Sequence, residues 1–128
     1  MKLRRIAAIY SILIGTVMIG MWTVLLGTGQ VPEIDTEPIY LSYHLIAEFA
    51  TAVTLLIGGF GLFTNRKWGL KAYLVSMGML LYAVLMAGGY YAQKGEWAMI
   101  GMFTIFTILT VIFLALLLSR TDRFKPTE

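Results

Sequence analysis

The chain has 128 residues, of which 59% are hydrophobic and only 13% charged, with a formal net charge of +3. A soluble domain is about 45–50% apolar and about 25% charged, so this composition and a mean hydropathy of +0.79 exclude a disordered tail, a nucleic-acid-binding module and a typical cytosolic enzyme. Cysteine is absent, which excludes disulfides, thiolate metal sites and cysteine catalysis.

Crossing a bilayer as a helix takes about 20 mostly apolar residues, because the hydrocarbon core is roughly 30 Å thick and a helix rises about 1.5 Å per residue. Four segments qualify: Ile6 to Leu26, Tyr43 to Phe63, Ala72 to Ala92 and Ala98 to Ser119. Only the second holds a charged residue, Glu48, and none holds proline, so unkinked helices are expected. The first segment follows Lys2, Arg4 and Arg5, as a signal peptide would. Its apolar run is full-length, however, and no A-x-A-like site follows it, so a retained helix is expected.

Between the spans, Gly27-Thr28-Gly29 is expected to end the first helix and Val31 to Thr36 to form a loop. Asp35 or Thr36 is the expected cap of the second helix, with Pro38 in its first turn. Asn65 to Gly69 and Gln93 to Gly95 are short connections, and short connections make neighbouring helices antiparallel. The expected fold is one all-α domain over residues 1–128, an integral membrane bundle of four antiparallel transmembrane helices.

Orientation follows from the cations. Lys2, Arg4, Arg5, Arg66, Lys67, Lys71, Arg120, Arg123 and Lys125 fall on one side, and only Lys94 falls on the other. The positive-inside rule therefore places both termini in the cytoplasm of a cell-membrane protein, with Glu33, Asp35 and Glu37 in a solvated outer loop. Trp22, Tyr40, Tyr43, Tyr90, Tyr91 and Trp97 are expected at the outer headgroup level, and Trp68 and Tyr73 at the inner one.

His44 and Glu48 are the residues with the most chemical content. Four apart on a helix, they share one face, with Glu48 deeper than His44. An ionised carboxylate in hydrocarbon costs several kcal/mol unless paired, so Glu48 is expected to face the bundle. Protonated His44 is one candidate partner, Thr51 extends the stripe by a turn, and Tyr82 or Tyr90 could complete it. Two readings are open: a proton-accessible or small-ligand site lined by His44, Glu48, Trp22, Thr51 and Tyr90, or a hydrogen-bonded brace that fixes the second helix.

Other chemistry has little support. His44 is the only histidine, and the repeated strings Met18-Ile-Gly-Met21 and Met99-Ile-Gly-Met102 are read as gap-filling methionines beside small residues, Gly20 and Gly101, that permit close helix contact. Gly15, Thr16, Gly58, Gly59, Gly61, Ser76, Ala83, Ala87, Thr104 and Thr107 are further candidates for helix approach, and these small residues can serve packing within one chain or between chains. No serine-hydrolase elbow, phosphate-binding loop or zinc-protease motif is present, so no catalytic residue, metal site or cofactor is assigned.

Tyr43 to Gly59, YHLIAEFATAVTLLIGG, and Gly88 to Phe103, GGYYAQKGEWAMIGMF, resemble uncharacterised small four-span membrane proteins of bacteria and archaea. The resemblance implies the four-helix fold and a prokaryotic source, and it transfers no functional residue. The expected role is a non-enzymatic accessory or structural component that lies in the lipid bilayer and associates with itself as a homo-oligomer or with a larger membrane complex. The alternative is a small-ligand or proton-coupled transport or binding protein that uses His44 and Glu48 in an outer-leaflet cavity. A haem, copper or quinone redox protein ranks behind both.

Overall fold

The structure is a computed structural model that describes residues 2–119; Arg120, Arg123 and Lys125 of the basic cluster lie outside the described residues. Five helices follow one another: α1 (Lys2–Gly27), α2 (Glu33–Thr36), α3 (Pro38–Phe63), α4 (Gly69–Gln93) and α5 (Trp97–Ser119). The described residues contain no strand. α1, α3, α4 and α5 are long and apolar enough to cross a membrane, with mean hydropathies of 2.0, 1.8, 1.7 and 2.6.

Three of these helices end in the same way. Gln30 N–H donates to Leu25 O, Arg66 N–H to Gly61 O and Glu96 N–H to Tyr91 O, at 3.0, 2.9 and 3.1 Å. The preceding residue is left-handed each time: Gly29 (φ 71°), Asn65 (φ 59°) and Gly95 (φ 71°). This closure satisfies carbonyls that a helix end leaves without partners, and it favours glycine or asparagine at the left-handed position.

The segment between α1 and α3 differs from expectation. Glu33–Thr36 winds into a single helical turn instead of a loop. Neither Asp35 nor Thr36 caps α3; Glu37 occupies that position (φ −141°, ψ 60°) with no side-chain cap. Pro38 explains the change, because the residue before a proline is pushed out of the helical region. Glu37 therefore ends α2 and starts α3 at once, and its N–H donates to Glu33 O at 2.8 Å.

α3 is the central helix, packed against α1 on one side and α4 on the other, and α4 carries α5. The α1–α3 seam is regular. Arg4 Nη1 donates to Leu62 O and Phe63 O at 2.7 and 2.6 Å, closing the end of α3. Gly59 lies against Ala8 and Ile12. Ser11 Oγ donates to Leu55 O at 2.6 Å, and Gly15 meets the Ala52 carbonyl. Numbers rise along α1 as they fall along α3. At the α3–α4 seam Gly58 abuts the Tyr73 backbone, and Gly61 abuts Trp68 and Gly69. A side chain on Gly58 would hold these helices apart, which is why small residues mark such seams.

One expectation about small residues is narrowed and one about an aromatic residue is corrected. A Cβ added at Gly20 or Gly101 would meet nothing within 4 Å, so neither lies at a seam within the chain. Tyr73 does not present its ring to the surroundings as an interfacial aromatic would; it is fully buried, in one core cluster with Met77, Leu80, Leu55 and Leu117. The glycine at position 58 makes room for its backbone. Outside this core the helices present Ile9, Leu13, Val17, Ile46, Val53, Ile57, Leu85, Ile105 and Ile108 to the surroundings. An apolar surface of that extent suits hydrocarbon rather than water.

Candidate functional site

α1 and α3 bring Trp22, His44 and Glu48 together. Six residues into α3 from Pro38, His44 lies about 9 Å along the helix, and Glu48 about 6 Å further. His44 Nε2 lies 3.5 Å from Glu48 Oε1, with the imidazole side chain 34% exposed and the carboxylate side chain 12%. The Trp22 ring meets His44 edge-on, with centroids 5.7 Å apart and planes at 70°. Tyr40, one turn before His44, stacks with it at 6.2 Å and 12°. The imidazole thus contacts two aromatic rings.

The Trp22 indole N–H faces the Glu48 carboxyl without reaching hydrogen-bond geometry, and it is buried. Thr51 lies one turn beyond Glu48, buried, and its hydroxyl donates to Ala47 O at 2.8 Å. A hydroxyl that donates back to its own helix has no free proton to offer the Glu48 carboxylate.

Tyr90 is placed elsewhere. Its hydroxyl donates to Glu33 Oε1 at 2.7 Å and accepts from Lys94 Nζ at 2.6 Å. The Lys94 ammonium also sits 4.3 Å from the Tyr90 ring centroid. Glu33, Tyr90 and Lys94 form an exposed clasp between α2 and the end of α4. The Tyr90 hydrogen bond holds the Glu33 carboxyl below its ordinary value, with the Lys94 charge acting the same way. The same tyrosine holds the Lys94 ammonium above its ordinary value. Tyr82 is largely exposed and joins neither group.

Residues 1–128 match the model of a family described as Domain of unknown function (DUF8058). The chain belongs to this family. No curated protein and no solved structure matches it. DUF8058 membership agrees with a small protein without an assigned activity, and the roles of its residues rest on geometry.

Two hollows in this DUF8058 chain lie away from the histidine. One, of about 330 Å³, is lined by Ile9, Ile12, Leu13, Thr16 and Phe63. The other, of about 240 Å³, lies between α4 and α5 along Gly88, Gly89, Phe103 and Thr104. Among the described residues no three His, Asp or Glu side chains gather to hold a metal. Met18 is buried in the core, while Met21 and Met86 are exposed.

A second polar group lies in the other half of the bundle. Tyr10 and Ser11 of α1, Tyr73 and Ser76 of α4 and Thr110 of α5 place five hydroxyls in or beside the core. Tyr10 Oη lies 3.0 Å from Thr110 Oγ1 and donates to Phe106 O at 3.3 Å. Ser76 Oγ donates to Tyr73 O at 2.7 Å. The Tyr73 hydroxyl alone is buried without a partner. Sequence reasoning missed this group because its members lie on three helices and share no spacing.

Proposed function

We propose that the protein is a non-enzymatic structural or accessory component of the cell membrane. In this reading four antiparallel spans put both termini in the cytoplasm, and residues 1–128 act as one domain. The rising and falling partners Arg4/Leu62, Ala8/Gly59, Ser11/Leu55 and Gly15/Ala52 support the antiparallel order of α1 and α3. Of the described charged residues, Glu33, Asp35, Glu37, Glu96 and Lys94 fall at one end and Lys2, Arg4, Arg5, Arg66, Lys67 and Lys71 at the other, with Glu48 between, which supports the orientation. With no cysteine in the chain, single cysteines at Glu96 and Lys67 test it by labelling intact cells with an impermeant maleimide. Labelling at Lys67→Cys before permeabilisation would reverse the orientation.

The observation that carries the structural role is the enclosure of Glu48. Its side chain is 12% exposed and faces His44 at 3.5 Å and the Trp22 indole N–H, and the hollows beside Ile9 and beside Gly88 are lined by other residues. A largely enclosed carboxylate held this way sets which face of α3 lies against Trp22 of α1, through packing and charge rather than a hydrogen bond between the helices. Glu48→Gln should lower stability by about 1 kcal/mol, in the range of polar contacts between membrane helices. Association with itself or a larger complex is read by native mass spectrometry of gently extracted protein. If Glu48→Gln leaves stability unchanged but abolishes a pH-dependent flux in liposomes, the brace is wrong.

A further inference from the structure

The hollow lined by Ile9, Ile12, Leu13, Thr16 and Phe63 is an open groove with almost wholly apolar walls. Its volume of about 330 Å³ is at the small end of ligand-sized cavities, about 300–1,000 Å³. Lys2, Arg5, Ile9, Leu13 and Thr16 follow one another at steps of three or four, so the two cations continue the same face of α1. Arg5 lies one turn, about 6 Å, before Ile9.

Lys2 and Arg5 are exposed, and among the described residues neither has an ion pair or hydrogen bond. Arg4, between them, is committed to the carbonyls of Leu62 and Phe63. No acid occupies the first turn of α1. Cations at a helix N-terminus oppose the helix dipole, and an anion there relieves both.

We propose that this face binds an anionic phospholipid, with the phosphate on Lys2 and Arg5 and the adjoining acyl chain along Ile9, Leu13 and Phe63. Charge complementarity selects this occupant. A neutral headgroup leaves the two cations without net compensation. A second copy of the chain, packed on the same face, would bring like charges together. A soluble phosphate does not use the apolar groove. The proposal rests on the membrane-spanning reading.

The test is native mass spectrometry of the full chain released from nanodiscs of phosphatidylglycerol and phosphatidylcholine in equal amounts. The wild type should retain phosphatidylglycerol preferentially. Arg5→Gln should lower that preference about fivefold, and Lys2→Gln with Arg5→Gln about thirtyfold, each basic residue contributing about 1 kcal/mol. Leu13→Trp fills the groove from an exposed position, without touching the core, and should lower retention with both cations in place. Lys71→Gln, on α4, removes one charge from the same end of the bundle and should change little. Equal losses from Arg5→Gln and Lys71→Gln would overturn the site in favour of diffuse attraction. Full retention by Leu13→Trp would overturn the groove. Resistance to alkaline carbonate extraction reads membrane spanning separately, so a spanning chain without lipid preference sinks this proposal alone.

Discussion

The Tyr10 hydroxyl of α1 lies 3.0 Å from the Thr110 hydroxyl of α5, and it joins two helices that otherwise meet little. Tyr10 also packs its ring on Phe113, with centroids 4.9 Å apart. Tyr10→Phe keeps this packing and leaves the fully buried Thr110 hydroxyl without its Tyr10 partner. The expected loss is about 1 kcal/mol. Reversible unfolding in mixed micelles measures it, and Thr110→Val combined with Tyr10→Phe should recover part of the loss.

Tyr73 reverses that logic. Its hydroxyl is buried with no partner, so the wild type already bears the desolvation cost. Tyr73→Phe should be neutral or stabilising, by up to about 1–3 kcal/mol. A clear destabilisation in the same unfolding assay would mean that the hydroxyl holds a water or another polar group.

The glycines divide into two sets. A Cβ at Gly58 would lie 2.8 Å from the Tyr73 Cα and 2.9 Å from its nitrogen, so the backbone of α4 would have to move. Gly58→Ala should cost about 1–3 kcal/mol, as overpacking does. Gly20→Ala meets nothing within 4 Å and should leave the unfolding transition in place. Loss of a homo-oligomer on Gly20→Ala with unchanged unfolding would instead locate a partner on that face.

The clasp of Glu33, Tyr90 and Lys94 predicts a plateau with two limbs. The Glu33 carboxyl is held below its ordinary 4.5, so its contribution is complete above that value and is lost as pH falls below it. The Lys94 ammonium is held above its ordinary 10.5, so its contribution is complete below that value and is lost as pH rises above it. Both groups are exposed, so the effect on global stability is small. Hydrogen exchange at Ile34 and Asp35, corrected for intrinsic rates, reads the clasp directly. Glu33→Gln should remove the acid limb and leave the alkaline one.

The four long apolar helices were legible because each long apolar run stands between polar breaks. The pairing of His44 with Glu48 was legible from helical spacing alone. Tyr90 was not, since its partner Glu33 is presented by a turn that forms only because Pro38 forces Glu37 out of the helix. Tyr73 was misplaced for a related reason: aromatic residues near a span end suit the headgroups, and only Gly58 on another helix reveals the slot that takes this one. The α5 sequence is apolar on every side, so nothing in its periodicity marks Thr110 as the inward residue.

The uneven grip on the helices has a mechanical consequence. α3 is clamped from both sides, whereas α5 buries only Thr110 and Leu117 and leans on α4 alone, apart from the Tyr10 strut. Drawn out by its carboxyl end, the bundle should unzip from the margin inward: α5 would peel away first at low force, and α1 and α3 would stay locked until a second, higher rupture.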